Sequence, residues 1–383
     1  MNITKDVKYL GVTDTEIDLF EGQYTVEDGI TYNSYAIIDD KIAIMDSVDS
    51  SFGEEWLANI GATLAERNPD YLIVQHMEPD HSACITLFAE RYPDAIIVAT
   101  AKAFAMMKNF FGIDYAERRL VVKEGDTLSL GKHTLSFIAA PMVHWPEVIV
   151  TYDQSEKILF SADAFGRFGR ADANLPWEDE ARRYYIGIVG KYGAQVQALL
   201  KKAAGLEIEK ICPLHGPVLS ENLSRYIGLY DLWSSYRAEK EGVAIAYASI
   251  YGNTGAAASL LADELKAHGV EVSLFDLARC DMHAAIAEAF KYSKLVLASA
   301  TYNGDVFPPM RAYISGLSER GFRSRKVAFI ENGSWAPMAA KVMRSSLEEC
   351  KDISFAEASV KLLSALSEEN KAEISALAEE LKS

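Results

Sequence analysis

Residues 76–81 place two imidazoles and two carboxylates in six positions, in the order His-Met-Glu-Pro-Asp-His. The apolar run 71–74 before them is typical of a buried strand, and residues 82–91 have the pattern of a helix. The four side chains are therefore predicted to lie in a turn at the carboxyl end of a strand, where open α/β sheets bind their ligands. Such a mixed set of nitrogen and oxygen donors suits iron, manganese or zinc. The alternative interpretation is a polar loop with incidental histidines.

Three further residues strengthen the metal hypothesis, because each comes at the end of an apolar run or just after it. They are His144, Asp163 and His215. Four of the seven histidines in the chain thus fall at predicted strand ends, an arrangement that separate core histidines would not need. The predicted metal ligands are His76, Glu78, Asp80, His81, His144, Asp163 and His215.

This series of motifs resembles the di-iron domain of the flavodiiron proteins (A-type flavoproteins), which have a metallo-β-lactamase-like fold. Hydrolases of that fold usually carry a histidine where this sequence has Glu78, and a harder oxygen donor shifts the preference from zinc toward iron. The interval between Asp163 and His215 is shorter than in familiar members. His215 nevertheless keeps a family-like Leu-His-Gly-Pro context.

The resemblance also implies a role for each ligand. One iron would be held by His76, Glu78 and His144, and the other by Asp80, His81 and His215. Asp163 would bridge the two irons, with a hydroxide or water as a second bridge.

The composition is that of an ordinary globular protein, with 49% hydrophobic and 24% charged residues. A net charge of −17 argues against nucleic-acid binding, which needs a basic surface. The four cysteines are far apart and form no Cys-x-x-Cys, so neither a rubredoxin-like iron site nor a thioredoxin-like motif is predicted. No apolar run approaches the ~20 residues of a membrane span. We therefore expect a cytoplasmic protein.

The first 240 residues are predicted to form the metal domain, a four-layer αβ/βα sandwich. Hairpins are expected at 35–46 and 148–160, a three-stranded meander at 120–138 and a helix at 53–67. Residues 166–175 form a loop that either covers the site or is a solvated surface loop. A helix is predicted at 220–240 with Ser220 as its N-cap. The charged run 237–242 marks the predicted domain boundary.

From residue 243 onward, apolar strands alternate with helices, which is typical of a parallel sheet buried on both faces. Strands are predicted at 243–248, 271–275, 294–299 and 326–330, and helices at 255–268 and 367–381. This half resembles flavodoxin, which binds FMN. The predicted fold is thus a metallo-β-lactamase-like sandwich, residues 1–240, followed by a flavodoxin-like doubly wound parallel sheet, residues 241–383.

Three loops at strand ends are candidates for the FMN site. Residues 249–254 join a strand to a helix, where free amides and the helix dipole favour a phosphate. The other two loops contain the aromatic residues Tyr302 and Trp335, which can stack on a flat ring. Packed loop residues and an ordinary helix cap are the alternatives. The predicted FMN residues are Ser249, Ile250, Tyr251, Gly252, Asn253, Thr254, Thr301, Tyr302, Asn303, Gly304, Asp305, Asn332, Gly333, Ser334, Trp335 and Ala336.

The resemblance implies an oxidoreductase with two irons and FMN that reduces O2 to water, NO to N2O, or both. It implies a separate electron donor, either a rubredoxin-like protein or a deazaflavin. It also implies a head-to-tail homodimer or a dimer of dimers, in which the FMN of one subunit lies beside the irons of the other. Two alternatives remain, a zinc-dependent hydrolase of the same fold and a flavin electron carrier without turnover.

Overall fold

The computed structural model describes residues 2–382. The chain divides into two compact units, one ending at Asp231 and the other beginning at Leu232. The domain limits 1–240 and 241–383 remain a prediction. Among residues 2–382, no helix combines the length and the apolar character that crossing a membrane requires.

Within its described residues, the first unit contains fifteen strands, several of them only two or three residues long. They are β1 (Val7–Tyr9), β2 (Val12–Asp14), β3 (Leu19–Phe20), β4 (Tyr24–Thr25), β5 (Ile30–Tyr32), β6 (Tyr35–Ile38), β7 (Ile42–Met45), β8 (Tyr71–Ile73), β9 (Ile96–Ala99), β10 (Arg119–Val121), β11 (Thr127–Ser129), β12 (Thr134–Ala139), β13 (Ile149–Asp153), β14 (Ile158–Phe160) and β15 (Lys210–Cys212). Its helices are α1 (Gly53–Leu64), α2 (Pro79–Ser82), α3 (Ile85–Arg91), α4 (Ala101–Phe111), α5 (Trp177–Tyr184), α6 (Gly193–Ala203) and α7 (Leu223–Ser234), the last of which crosses the division between the units.

Two sheets form the centre of this unit. One has the order β1-β6-β7-β8-β9-β10 and the other the order β11-β12-β13-β14-β15. Both faces of strand β7 are buried. Successive side chains of a strand point to opposite faces of the sheet, so the two faces of β7 pack against different partners. Ile42 and Ile44 pack with α1, α3 and α4, whereas Ala43 and Met45 join a core shared with the second sheet. A sheet with helices on one face and a second sheet on the other is the arrangement predicted for this half.

Both predicted hairpins are confirmed, because β6 pairs antiparallel with β7, and β13 with β14. The three-stranded meander is wrong in its first strand. Strand β10 pairs parallel with β9 and forms the edge of the first sheet, while only β11 and β12 make the hairpin. The apolar residues of β10 predicted a strand but not its partner, because strand pairing depends on contacts remote in sequence.

Three local predictions also need correction. The helix predicted at 82–91 is two helices, and α2 begins at Pro79, so Asp80 and His81 lie on a helical turn. The helix predicted at 220–240 is α7, which starts three residues after Ser220 and stops at Ser234. The surface-loop interpretation of 166–175 is wrong for its first part, because residues 166–169 are buried.

The second unit is a parallel sheet with helices on both faces. Its strands are β16 (Lys240–Ala248), β17 (Val272–Asp276), β18 (Tyr292–Tyr302), β19 (Asp305–Val306), β20 (Lys326–Asn332), β21 (Ser354–Phe355) and β22 (Val360–Leu362). Its helices are α8 (Asn253–Ala267), α9 (Met282–Lys291), α10 (Pro308–Glu319), α11 (Ala339–Ser346) and α12 (Glu368–Leu381). The main sheet has the order β17-β16-β18-β20-β21, and β22 also pairs with β20. The predicted fold class is confirmed.

This strand order reverses direction between β16 and β18. A crevice forms at such a switch point, outside the carboxyl ends of the strands, and ligands of doubly wound sheets bind there. The two strands end at Ala248 and Tyr302, directly before or within two of the three predicted FMN loops. The topology therefore supports a ligand site at this edge.

Candidate metal centre and flavin pocket

The structure brings all seven predicted metal ligands together, in two adjacent groups. In the first, His144 Nε2 lies 2.9 Å from Glu78 Oε2, and His76 Nε2 lies 3.3 Å from the same oxygen. In the second, the Nε2 atoms of His81 and His215 lie 3.1 and 3.2 Å from Asp80 Oδ2. Each group is compact enough to hold one metal ion.

Asp163 connects the two groups through its two carboxylate oxygens. Its Oδ2 lies 3.3 Å from His76 Nε2 and 3.1 Å from His144 Nε2. Its Oδ1 lies 3.3 Å from His81 Nε2 and 3.8 Å from His215 Nε2. One carboxylate thus faces both groups at once, which is the geometry of a bridging ligand between two metal ions.

The local backbone explains how distant segments reach one point. His76 and Glu78 follow β8, Asp80 and His81 lie on α2, and Asp163 and His215 follow β14 and β15. Gly166 permits the last approach, because a Cβ there would lie 2.9 Å from the carbonyl oxygen of Asp163.

The donor chemistry fits a pair of metal ions. Among the described residues, no hydrogen bond reaches either carboxylate oxygen of Asp80 or of Asp163, although all four atoms are buried. The Nε2 atoms of His81 and His215 face each other at 3.0 Å. Buried carboxylates are costly unless a cation compensates them. Metal ions placed between these nitrogens and oxygens would satisfy the whole set, and the mixture of imidazole and carboxylate suits iron.

Electrostatic coupling inside the site is strong. Burial opposes a charge on His81, but Asp80 and Asp163 outweigh it and raise the pKa of His81 to about 10. Burial likewise opposes a charge on His144, yet Asp163 and Glu78 raise the pKa of His144 to about 9. Burial alone would raise the pKa of Asp163, but the imidazoles around it, His76 foremost, hold that pKa well below its usual range. Metal binding must displace the protons that these carboxylates attract to the imidazoles.

Aromatic rings shield the second group from water. The rings of Phe20 and Tyr184 lie 5.3 and 5.4 Å from that of His215. On the other side, Trp145 lies 5.3 Å from His76, ring centroid to ring centroid. The buried part of the 166–175 loop contributes Phe168, whose ring lies 5.2 Å from Tyr184. The buried part of this loop therefore forms part of the wall of the metal site.

The donor side chains differ in their exposure. The side chains of Glu78, Asp80 and His144 are 16%, 10% and 8% exposed, whereas those of His76 and His81 are fully buried. The partly exposed donors are therefore Glu78, Asp80 and His144, although both carboxylate oxygens of Asp80 are buried.

Glu147, which the sequence analysis missed, contacts one of the predicted ligands. Its buried carboxylate accepts hydrogen bonds from His76 Nδ1 and from the backbone N–H of Met77, both at 2.9 Å. No motif in the sequence marks Glu147, because its role depends on contacts with the loop at His76 and Met77, which is remote in sequence.

A third group of possible ligands, Asp6, His133 and Glu156, is better explained as an ion-pair network. The ammonium of Lys132 lies 2.6 Å from Asp6 Oδ2 and 3.8 Å from Glu156 Oε1. His133 Nδ1 lies 2.7 Å from Asp153 Oδ2. A lysine already compensates these carboxylates, so we assign the group a structural role.

In the second unit, a cavity of about 750 Å³ lies at the predicted FMN loops. Fourteen of the sixteen predicted FMN residues line it, while Gly252 and Asp305 do not. Asp305 instead pairs with Arg311 and accepts a hydrogen bond from the backbone N–H of Val306. The sequence analysis missed Ala300, Met338 and Ser364, which complete the lining and carry no chemical signal of their own.

The three loops have distinct local structures. Gly252, with φ of 93°, precedes α8, whose first amides have no acceptor within the helix. Asn303 and Gly304 both have positive φ and turn β18 into β19, as in a tight hairpin. The aromatic side chains at the rim are exposed, Trp335 to 80% and Tyr302 to 43%. The cavity thus combines an anion site with aromatic faces, which fits a phosphorylated flavin.

Comparisons with known proteins agree with this division. Residues 30–216 match the family described as "ODP family beta lactamase", and residues 245–351 match "Flavodoxin". The chain is 33% identical over 363 residues to a nitric oxide reductase of Moorella thermoacetica, covering 91% of this chain and 90% of the relative. It is 27% identical to an anaerobic nitric oxide reductase flavorubredoxin of Salmonella arizonae, covering 91% of this chain and 75% of the relative.

Solved structures give the same result for the fold. The flavodiiron protein from Giardia intestinalis has a TM-score of 0.93 and 26% identity, covering 99% of this chain and 95% of that one. The rubredoxin oxygen:oxidoreductase from Desulfovibrio gigas has a TM-score of 0.92 and 24% identity, covering 100% of this chain and 97% of that one.

Proposed function

Because the chain belongs to the flavodiiron protein family, we propose that it reduces O2 to water, NO to N2O, or both, at a pair of iron ions that receive electrons through FMN. The observation that carries the proposal is the placement of Asp163 between two compact donor groups, with one oxygen toward each. A zinc hydrolase of the same fold has no use for a flavin pocket. A simple flavin carrier has no use for seven converging metal donors.

We assign the ligands as the resemblance implies. His76, Glu78 and His144 hold one iron, Asp80, His81 and His215 hold the other, and Asp163 bridges them. The short distances within each group support this assignment. When bound, the ferrous pair would supply electrons to two NO molecules or one O2, and FMN would replace them.

The protein's own side chains prepare the site for this chemistry. The Nδ1–H of His215 donates to the carbonyl oxygen of Thr31 at 2.7 Å, so its Nε2 lone pair points into the site. The carboxylate of Glu147 likewise accepts a hydrogen bond from His76 Nδ1–H, so the Nε2 lone pair of His76 also points into the site. Phe20, Tyr184 and Trp145 exclude water around the donors, which strengthens each electrostatic interaction there.

The flavin residues have separate roles in this proposal. Residues 249–254 hold the phosphate through the amides at the start of α8 and the hydroxyls of Ser249 and Thr254. The loops at 301–304 and 332–336 hold the isoalloxazine ring, with Tyr302 and Trp335 available for stacking. Gly252 and Asp305 belong to these loops as well, although they do not line the cavity.

We further propose the assembly and partners that the resemblance implies. Residues 1–240 form the di-iron domain and 241–383 the FMN domain of a head-to-tail homodimer, alone or as a dimer of dimers. A rubredoxin-like protein or a deazaflavin donates the electrons. We place the protein in the cytoplasm, which its four free cysteines support.

One purified sample tests the proposal. We expect about two irons and one FMN per chain, with NO or O2 consumption that depends on a reduced rubredoxin. Running NO and O2 side by side gives the substrate preference. Zinc without flavin would favour the hydrolase, and flavin without metal would favour the carrier. Either result would contradict the proposal.

A further inference from the structure

The two donor groups differ in the hydrogen-bond acceptors that face the Nδ1 atoms of their histidines. In the first group, the carboxylate of Glu147 lies 2.9 Å from His76 Nδ1, on the far side of the ring from the metal-facing Nε2. The side chains of both residues are fully buried. The imidazole of His76 therefore donates to a buried carboxylate.

Among the described residues, no carboxylate accepts a hydrogen bond from Nδ1 of either histidine in the second group. His215 Nδ1 donates to the neutral carbonyl oxygen of Thr31. Nδ1 of His81, also buried, has no hydrogen-bond partner among residues 2–382. The carboxylates of Asp80 and Asp163 face Nε2 of His81 and belong to the ligand set. Asp46 is a further buried carboxylate that interacts electrostatically with His81, but its oxygens accept hydrogen bonds from Gln75 and from the backbone N–H of His76.

A carboxylate behind a ligating imidazole has two physical effects. It raises the basicity of the imidazole and fixes its ring orientation. It also adds a negative charge near the metal, and in a buried site such a charge is weakly screened. Both effects favour a metal ion in the first group over one in the second.

We propose that Glu147 makes the two metal positions unequal, so that the position formed by His76, Glu78 and His144 holds its ion more tightly than the position formed by Asp80, His81 and His215. This inference rests on the proposed binuclear site. It makes Glu147 a positioning residue, which acts on the metal through His76.

The test is timed iron removal from the fully loaded, FMN-containing, reduced protein by a ferrous chelator under anaerobic conditions. We expect the wild type to release iron in two phases of equal size. Glu147→Gln keeps an acceptor oxygen for His76 and Met77 but loses the charge. It should accelerate the slow phase by about 10- to 100-fold, so that the two phases merge.

A second variant assigns the phases. His144→Ala damages only the first position, so it should abolish the slow phase and keep the fast one. If the fast phase disappears instead, the order of the two positions is the reverse of the proposed one and the inference is wrong.

Asp153→Asn is the matched control, because it removes a buried carboxylate from another histidine of the same unit. Asp153 is fully buried and lies 2.7 Å from His133 Nδ1, outside both donor groups. The control should leave both release rates unchanged, which separates an effect on the metal from general loosening of the fold. If Glu147→Gln folds poorly, Glu147→Asp, which keeps the charge and shortens its reach, takes its place with the same expected direction.

Two further results would overturn the inference. One is a single release phase in the wild type, and the other is an unchanged slow phase in Glu147→Gln. Both are distinct from a failure of the proposed function. A protein that releases iron in two phases but reduces neither NO nor O2 would refute the function and leave this inference intact.

Discussion

Asp163 is the residue on which the metal site depends most. Its two oxygens face different donor groups, so it cannot be replaced by a neighbour of either group. We expect Asp163→Ala to lose one or both irons while FMN content stays unchanged, since the flavin cavity is built from another part of the chain. Metal analysis and flavin absorbance measure both quantities in one sample. Retained iron with full turnover would count against the bridge.

In our proposal, Thr254 has the corresponding role for the flavin phosphate. It is 2% exposed, lines the cavity and lies in the first turn of α8. A hydrogen bond to a charged group contributes about 1.5–3 kcal/mol, so Thr254→Val should weaken FMN binding about 10- to 100-fold and leave iron content unchanged. Titration of the apoflavin protein with FMN measures this.

The matched control for Thr254 is Thr151→Val. The hydroxyl of Thr151 is buried in the first unit and has no hydrogen-bond partner among the described residues. This variant should bind FMN as the wild type does. Equal losses in the two variants would mean that Thr254 stabilises the fold rather than the phosphate.

His133 gives the first unit a pH-dependent stability. The hydrogen bond to Asp153 raises the pKa of His133 above that of a free histidine, about 6.5. Its contribution to stability is therefore complete below pH ~6.5 and is lost as the pH rises through the folded-state pKa. We expect His133→Gln to flatten the decrease in unfolding free energy above neutral pH. Urea denaturation at several pH values tests this, and parallel curves for the two proteins would contradict it.

Among individual residues, those that belong to a recognisable motif were predicted well from the sequence. The seven donors have a spacing that resembles a known family site, and the structure brings all of them together. Glu147 and the carbonyl of Thr31 were missed, because their role depends on contacts formed only after folding. A lone acidic residue or a backbone carbonyl has no recognisable pattern.

Among the elements, the edges of the sheets were the hardest to predict. The central strands β8, β16 and β18 are apolar and were placed from sequence, since both of their faces are buried. Strand β10 is exposed at all three residues, and its partner comes from the preceding strand β9 rather than the following hairpin. The strands β2 to β5 are two or three residues long, too short for a periodic signal.

Arg325, one residue before β20, makes hydrogen bonds to two other segments of the second unit. Its guanidinium is buried and donates to the carbonyl oxygens of Tyr236 at 2.8 Å and Phe290 at 2.6 Å. Arg325→Met leaves these acceptors without their charged donor and should lower the free energy of unfolding by about 2–4 kcal/mol. Denaturant unfolding followed by FMN fluorescence measures it.

Arg279→Met is the control for Arg325. The side chain of Arg279 is 73% exposed and pairs with Asp276 on the surface. Exposed ion pairs contribute at most about 1 kcal/mol, so this variant should unfold almost as the wild type does. A comparable loss of unfolding free energy in both variants would show that the carbonyl contacts of Arg325 stabilise the fold no more than an exposed ion pair does.

For the whole molecule, the proposed assembly predicts complementation between two defective chains. Asp163→Ala lacks a working metal site, and a Ser249→Ala, Thr254→Val double variant lacks a working flavin site. In a head-to-tail dimer the two sites that exchange electrons come from different chains. Co-expression of both variants should therefore restore turnover that neither shows alone.

The control for this experiment is simple mixing of the two variants without subunit exchange, which should stay inactive. Sedimentation equilibrium of the wild type should give a dimer or tetramer. An active monomer, or a co-expressed pair without turnover, would mean that electrons pass within one chain. The resemblance alone predicted this assembly, because no pattern in a single sequence encodes a symmetric interface.

The central claim is that Asp163 bridges two iron ions, and iron-edge anomalous diffraction from a crystal of the iron-loaded protein tests it most directly. We predict two anomalous peaks about 3.5–4 Å apart on opposite sides of the Asp163 carboxylate. One peak should lie among His76, Glu78 and His144, and the other among Asp80, His81 and His215. A single peak, or peaks away from these seven side chains, would contradict the account.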